Sequence, residues 1–232
     1  KKKLSKFLDL GYEIGTWHNQ RDKIVEFCNV LSMITSSLGK IAKDLLVLSQ
    51  DEIAEITFKK SGSSSSMFHK NNPIIGELVV SLAKLNANHL SMMHTAMMPK
   101  NERDGTSWMI EWQSLYSMLR LTGASLSHSF KCISNIKINK NKMKENIDNT
   151  YGVLIGDYFY QLLIKEYSYN KLQNIFPKLI AKALQEKKFL LDVINDYFGK
   201  NLTINEKSIF KKCIGLNDTI INNAEMKFRK TF

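Results

Sequence analysis

Eight apolar residues, Ile24, Phe27, Leu31, Ile34, Leu38, Ile41, Leu45 and Leu48, follow one another at alternating steps of three and four. That is an unbroken 3.5-residue repeat, which places all eight on one seam of a helix. The spacing predicts a helix from about residue 19 to about residue 56, longer than a typical globular helix. Such a helix with a narrow seam is not stable alone, so the chain is restricted to a helical bundle or a coiled coil.

The pattern stops at Thr57. A stretch with Gly62 and four consecutive serines, Ser63 to Ser66, has no helical period and reads as a mobile loop. Asn72-Pro73 then restarts a helix, with Asn72 expected as N-cap and Pro73 at the first helical position. Ile75, Leu78, Leu82, Leu85, His89, Met92 and Ala96 are its expected buried face. After a polar loop from Pro99, a third long helix carries the stripe Trp108, Trp112, Leu115, Leu119, Leu126 and Phe130. The composition turns to Lys and Asn around residues 136–144, which marks a boundary: residues 1–137 form a long-helix domain and residues 138–232 a smaller helical one. In the second part, residues 151–167 and 172–198 read as two helices, followed by shorter helical pieces. No strand alternation is legible, so the expected fold class is all-α.

Composition excludes several function classes. The net charge is +11, yet of 33 Lys and Arg only Arg21, Arg103, Arg120 and Arg229 are arginines. The bidentate contacts that read bases and phosphates need arginine, so the charge is a solvated surface and nucleic acid is not the expected partner. Such a surface also attracts anionic substrates. Cys28, Cys132 and Cys213 are odd in number and far apart, the pattern of reduced thiols and not of a metal site. No apolar run approaches the length needed to cross a membrane. The opening Lys1-Lys2-Lys3 has no signal-peptide core and is expected of a piece of a longer protein.

The segment from Gly62 to Glu77 carries chemistry. It joins a serine-rich loop, Lys70 and the start of a helix, where free N–H groups and the helix dipole favour an anion. A hydroxyl beside a carboxylate cradle suits proton abstraction alpha to a carboxylate, because preorganised donors stabilise the charge that builds. By residue types alone a polar linker between two helices is the favoured account. The order of residues goes further. Met67, Lys70, Asn72, Pro73 and Glu77 match, with the same spacing, the signature loop Gly-Ser-Ser-x-Met-Pro-x-Lys-x-Asn-Pro of the aspartase/fumarase superfamily, with its Glu four residues beyond the Pro. The chain also resembles the carboxymuconate cycloisomerase branch of that family. Trp17-His18-Asn19-Gln20-Arg21-Asp22 is similar to its Trp-His-x-Gln-Arg-Asp, and residues 102–112 are similar to its Glu-Arg-x-x-Gly-x-Trp-x-x-Glu-Trp. Trp17 and Trp112 stand where adenylosuccinate lyases have a Gln and an Arg that serve a nucleotide substrate.

The resemblance implies the central helical bundle of the fumarase/aspartase fold followed by a small helical C-terminal domain. It implies a cytoplasmic homotetramer that builds each site from three subunits and needs neither metal nor organic cofactor. Carried over by position, Ser64 is the general base, with Ser63 its rival because Ser63 stands where the family has Gly and follows Gly62 directly. Phe68 replaces the family Pro. Lys70 and Asn72 hold a substrate carboxylate, and Glu77 orients a His from another subunit. His69, Trp17 and Arg21 join the substrate-binding set. The implied substrate is a small polycarboxylate, in the cycloisomerisation that belongs to aromatic compound degradation through the beta-ketoadipate pathway. The chain is expected to be the C-terminal portion, with the general-acid His in a missing N-terminal half or a separate chain. Two other readings stand beside this one: an adenylosuccinate-lyase-like activity, and a non-catalytic helical oligomerisation remnant.

Overall fold

The computed structural model describes residues 1–12, 14–15, 18–59, 62–63, 71–199 and 217–231. It divides into two compact units, Lys1–Lys142 and Met143–Phe232. The architecture is all-α, as expected. After a one-turn α1 (Lys2–Phe7), the first unit is built on three long helices that all pack on one another: α2 (Asp22–Leu48), α3 (Ile74–Ala96) and α4 (Gly105–Ser134).

The faces by which these helices meet are not the ones that hydrophobic periodicity selects. Of the eight seam residues of α2 only Leu31 is buried, while Phe27, Ile34 and Ile41 are exposed. The buried row is Val25, Cys28, Ser32, Thr35, Gly39 and Ala42. It repeats at the same steps of three and four, offset by one residue. On α4 the buried row is Ser107, Glu111, Ser114, Met118, Thr122, Ser125, Ser129 and Cys132, whereas Trp112, Leu119, Leu126 and Phe130 face outward. On α3 the expected face is half right: Leu82 and Ala96 are buried, but Leu78, Leu85 and Met92 are exposed beside the buried Gly76, Val79, Ala83, Asn86 and Met93. Small side chains let the helix axes approach closely, and bulky ones are left on the outer faces. A Cβ on Gly39 would lie 2.8 Å from that of Ala83, and one on Gly76 would meet Leu46 Cδ2 at 3.0 Å.

A polar knot ties the three helices at mid-length. The fully buried Asn86 donates from Nδ2 to Thr35 Oγ1 at 3.1 Å and to Thr122 Oγ1 at 3.0 Å. Both hydroxyls in turn donate to carbonyls one turn back in their own helices, those of Ser32 and Met118. The amide therefore links α2 and α4 through α3 in one register, since a slip by one turn would bury these groups without partners.

Other expectations are corrected at the helix ends. Helix α2 stops at Leu48, short of residue 56, because the chain turns through Ala54 at φ 49° into a short strand. Strands are present although none was legible: β1 (Ile56–Phe58) pairs antiparallel with β4 (Ile136–Ile138), and β2 (Gly62–Ser63) with β3 (Asn71–Asn72). Two or three residues are too few for alternation to be read, and the pairing is set by Ile56 and Phe58 packing on Cys132. Asn72 is in β3, so Pro73 is the N-cap of α3, and its carbonyl accepts from the N–H groups of Gly76 and Glu77. Helix α2 also holds an 18-residue window of mean hydropathy 1.2, long and apolar enough by composition to cross a membrane, contrary to the expectation that no stretch approaches this. Its buried Ser32 and Thr35 sit in the packed face against α3 and α4, as in the core helix of a bundle.

Following α5 (Lys140–Asp148), the second unit contains a 3-10 turn (Val153–Ile155), α6 (Gly156–Leu163), α7 (Tyr169–Glu186), α8 (Leu190–Phe198) and α9 (Asn217–Thr231). Phe159, Leu163, Leu172, Phe176, Leu179, Leu190 and Ile194 form its core. The expected single helix over 172–198 is two, since Lys187 takes the left-handed conformation at φ 51° and ends α7. Gly152, at φ 77°, is needed where it stands, because a Cβ there would come within 2.6 Å of the Phe189 ring.

The close α2–α3 contact gives a direct test. Gly39→Ala should gain roughly 1 kcal/mol of helix propensity yet lose about 1–3 kcal/mol to overpacking. The expected outcome is a net fall in urea midpoint, measured by circular dichroism.

Candidate active site

The signature segment sits at one end of the three-helix unit. Antiparallel pairing of Gly62 with Asn72 and Ser63 with Asn71 closes the base of the loop. Residues 64–70, and with them Ser64, His69 and Lys70, lie outside the described residues, as does Trp17. The backbone of Ser63 is therefore described, but not the side chain that rivals Ser64. Asn72 is half-buried in β3, one residue before the N-cap of α3. Glu77 stands exposed in the first turn of α3, where the positive end of the helix dipole favours a carboxylate.

Arg21 is at the other end. It is the N-cap residue of α2, and its guanidinium grips the carboxylate of Glu111, in the second turn of α4, through its Nε and Nη2 edge. Nε donates to Oε2 at 2.7 Å and Nη2 to Oε1. The side chains are 19% and 6% exposed. Arg21 and Glu111, ninety residues apart in sequence, thus join the start of α2 to the second turn of α4. Glu111 is the residue that sequence reading missed as a participant: it stood inside a quoted motif, but no local spacing pairs it with Arg21. On either side of it on α4, the rings of Trp108 and Trp112 stack with centroids 6.1 Å apart, and Trp112 remains 58% exposed. Burial pushes the nearby Cys28 thiol up from its ordinary range, and the negative charge of Glu111 adds to the effect. This thiol is a packing group and a poor nucleophile.

Asp104 starts α4. It accepts from the backbone N–H groups of Lys100 and Thr106 and from the Ser107 hydroxyl. Among the described residues no cluster of three or more His, Cys, Asp or Glu has the arrangement of a metal site.

The structure thus brings Arg21 together with the Trp108–Trp112 end, and Asn72 with Glu77, but it does not bring these two groups together. Helix α3 begins beside Leu46, near the last turn of α2, and Arg21 caps the first. At 1.5 Å per residue the 27 residues of α2 separate the two groups by about 40 Å. One chain cannot form one small-molecule site from both.

Comparison with known proteins fits this arrangement. Residues 1–85 match the family model described as lyase. The chain is 32% identical over 194 residues to 3-carboxy-cis,cis-muconate cycloisomerase of Acinetobacter baylyi, which covers 82% of this chain and 43% of that protein. The crystal structure of beta-carboxy-cis,cis-muconate cycloisomerase from Acinetobacter calcoaceticus superposes with a TM-score of 0.77 at 26% identity, covering 96% of this chain and 51% of that one. The chain belongs to the aspartase/fumarase superfamily. Nitrosuccinate lyase of Streptomyces davaonensis, 32% identical over 144 residues, covers 61% of this chain and 30% of that protein. Class II fumarase from Schistosoma mansoni shares the fold at a TM-score of 0.63 and 20% identity, covering 83% of this chain and 39% of that one. This superfamily member spans less than half the length of the curated relatives it matches.

The start of α4 yields a prediction in pH. The Lys100 N–H, then those of Thr106 and Ser107 with its hydroxyl, hold the Asp104 carboxyl below the usual carboxylate range. A folded pKa below the unfolded one gives stability that is present above the unfolded value and lost as pH falls through the folded value. Asp104→Ala should lower the thermal midpoint at neutral pH, and the gap to the parent chain should close as pH falls through the lowered folded value.

Proposed function

We propose that this chain supplies part of the active site of a lyase-type enzyme that interconverts 3-carboxy-cis,cis-muconate and its lactone. The observation that carries the reading is the signature order Met67, Lys70, Asn72, Pro73, Glu77 in a chain of this family. In the eliminating direction a serine hydroxylate, Ser64 by spacing to Lys70, removes the proton alpha to a carboxylate. The C–H electrons form the double bond, and the lactone C–O bond breaks to release a carboxylate. Lys70 and Asn72 hold the carboxylate next to the abstracted proton, so that the charge built on it meets a cation and an amide. Glu77 orients a His contributed by another subunit, and His69 and Trp17 line the substrate.

The 40 Å between the two groups of site residues supports a site shared between copies. Phe27, Ile34 and Ile41 on α2 and Leu119, Leu126 and Phe130 on α4 are exposed in the single chain, an apolar surface of the kind that marks an interface. A homotetramer covers these faces and brings opposite ends of different copies together. The same surface also favours a second reading, a helical oligomerisation module without catalysis.

Three measurements decide. Light scattering at micromolar concentration should report a tetramer; a monomer with a cooperative melt removes the shared-site argument. A chimera in which this chain replaces the matching segment of the Acinetobacter baylyi cycloisomerase should turn over carboxymuconate, followed by ultraviolet absorbance, and ignore adenylosuccinate. A folded, tetrameric and inactive chimera favours the oligomerisation module. In the active chimera Ser64→Ala should abolish turnover, while Ser63→Ala retains much of it, because a one-residue shift moves the hydroxyl by roughly 3.3 Å and to the opposite side. The reverse result reassigns the base to Ser63.

A further inference from the structure

Arg21 has the composition of a carboxylate ligand but not the setting of one. The Nε and Nη2 edge of its guanidinium is engaged by Glu111, whose side chain is 6% exposed. A substrate carboxylate placed on the same guanidinium would sit within a few ångströms of a second, buried negative charge that solvent screens poorly. The two residues are joined across ninety positions at the point where the chain enters α2, and Glu111 lies on α4 between Trp108 and Trp112. Holding Arg21 therefore fixes the entry to α2, and the segment before it, against the turn of α4 that presents the stacked rings. A bidentate pair sets angle as well as distance, which a single point contact does not.

We infer that Arg21 and Glu111 are positioning residues that set the Trp108–Trp112 wall and the segment entering α2 at the substrate end, and that Arg21 does not itself bind the substrate carboxylate. Trp112 keeps 58% of its surface exposed on this wall. The ring face turned away from Trp108 offers a flat apolar surface, which suits a planar conjugated acid better than a phosphate, to which the indole brings only its N–H. This assignment rests on the function proposed above for its substrate, and on the ion pair alone for its geometry.

The test uses Glu111→Gln, Arg21→Gln, the double variant, and the exchanged pair Arg21→Glu with Glu111→Arg. The first readout, on the 232-residue chain, is the exciton couplet of the stacked indoles in far-ultraviolet circular dichroism, with Trp108→Phe as the reference that removes it. The second is the split between KM and kcat for carboxymuconate in the chimera. Glu111→Gln and Arg21→Gln should weaken the couplet alike and raise KM alike, on the order of tenfold. The double variant should be no worse than either single one, and the exchanged pair should regain part of both signals. An unchanged couplet in folded Glu111→Gln overturns the positioning role. So does a KM that rises in Arg21→Gln but stays level or falls in Glu111→Gln, since that is the result for a guanidinium that touches substrate. Should the neutral single variants fail to fold, the exchanged pair decides: regained folding with the couplet supports the role, and folding without it overturns the role. A parent chimera without turnover of carboxymuconate defeats the proposed function, while the couplet still decides the ion pair.

Discussion

The close approach of α2, α3 and α4 along rows of small residues is the constraint on which the first unit depends. Gly39 meets Ala83 and Gly76 meets Leu46 so closely that an added Cβ would force a neighbour to shift, and small residues make up much of the buried rows that set this distance. Burial of small side chains removes little apolar area per residue, and the dispersion gained from many close contacts replaces part of it. The Asn86 knot adds direction to a contact that shape alone would leave free to slide.

The same constraint decides what remains outside. Once the small faces turn inward, the large apolar rows offset by one residue turn outward, from Phe27 to Ile41 on α2 and from Trp112 to Phe130 on α4. Hydrophobic area is thus left exposed on the single chain by how the chain packs and not by its composition. The antiparallel run of α2 and α3 likewise sends Arg21 and Asn72 to opposite ends, so the length of a helix parts the candidate residues into two groups.

The two ends are held by different physics. At the loop end a two-rung ladder and a helix N-terminus set backbone groups. At the other end a buried ion pair sets side chains. Such a pair contributes little net stability once its desolvation is counted, but removing one partner leaves a charge in an apolar setting at a cost of several kcal/mol. The Arg21–Glu111 pair is therefore a device for placing α2 against α4 more than for strengthening the fold.

Much of the architecture was legible in the sequence because helical period and turn residues act locally. Three long helices, the break at the serine-rich stretch and the all-α class all follow from such signals, and the signature order from Met67 to Glu77 is itself a local string. The β1–β4 pair was not legible, since Ile56 and Ile138 meet only after the helices between them have packed, and the two-residue strands β2 and β3 are too short for alternation. Nor was the inner face of each helix: size-weighted periodicity finds the larger residues, and in α2 and α4 these are the outer ones. The pairing of Arg21 with Glu111 joins two motifs that each looked complete. By itself the sequence determined which segments are helical and which residues could carry chemistry, because propensity and spacing are properties of neighbours along the chain. Only the tertiary structure decided which faces are buried and which candidate residues share an end, because those depend on how closely three separate helices can approach.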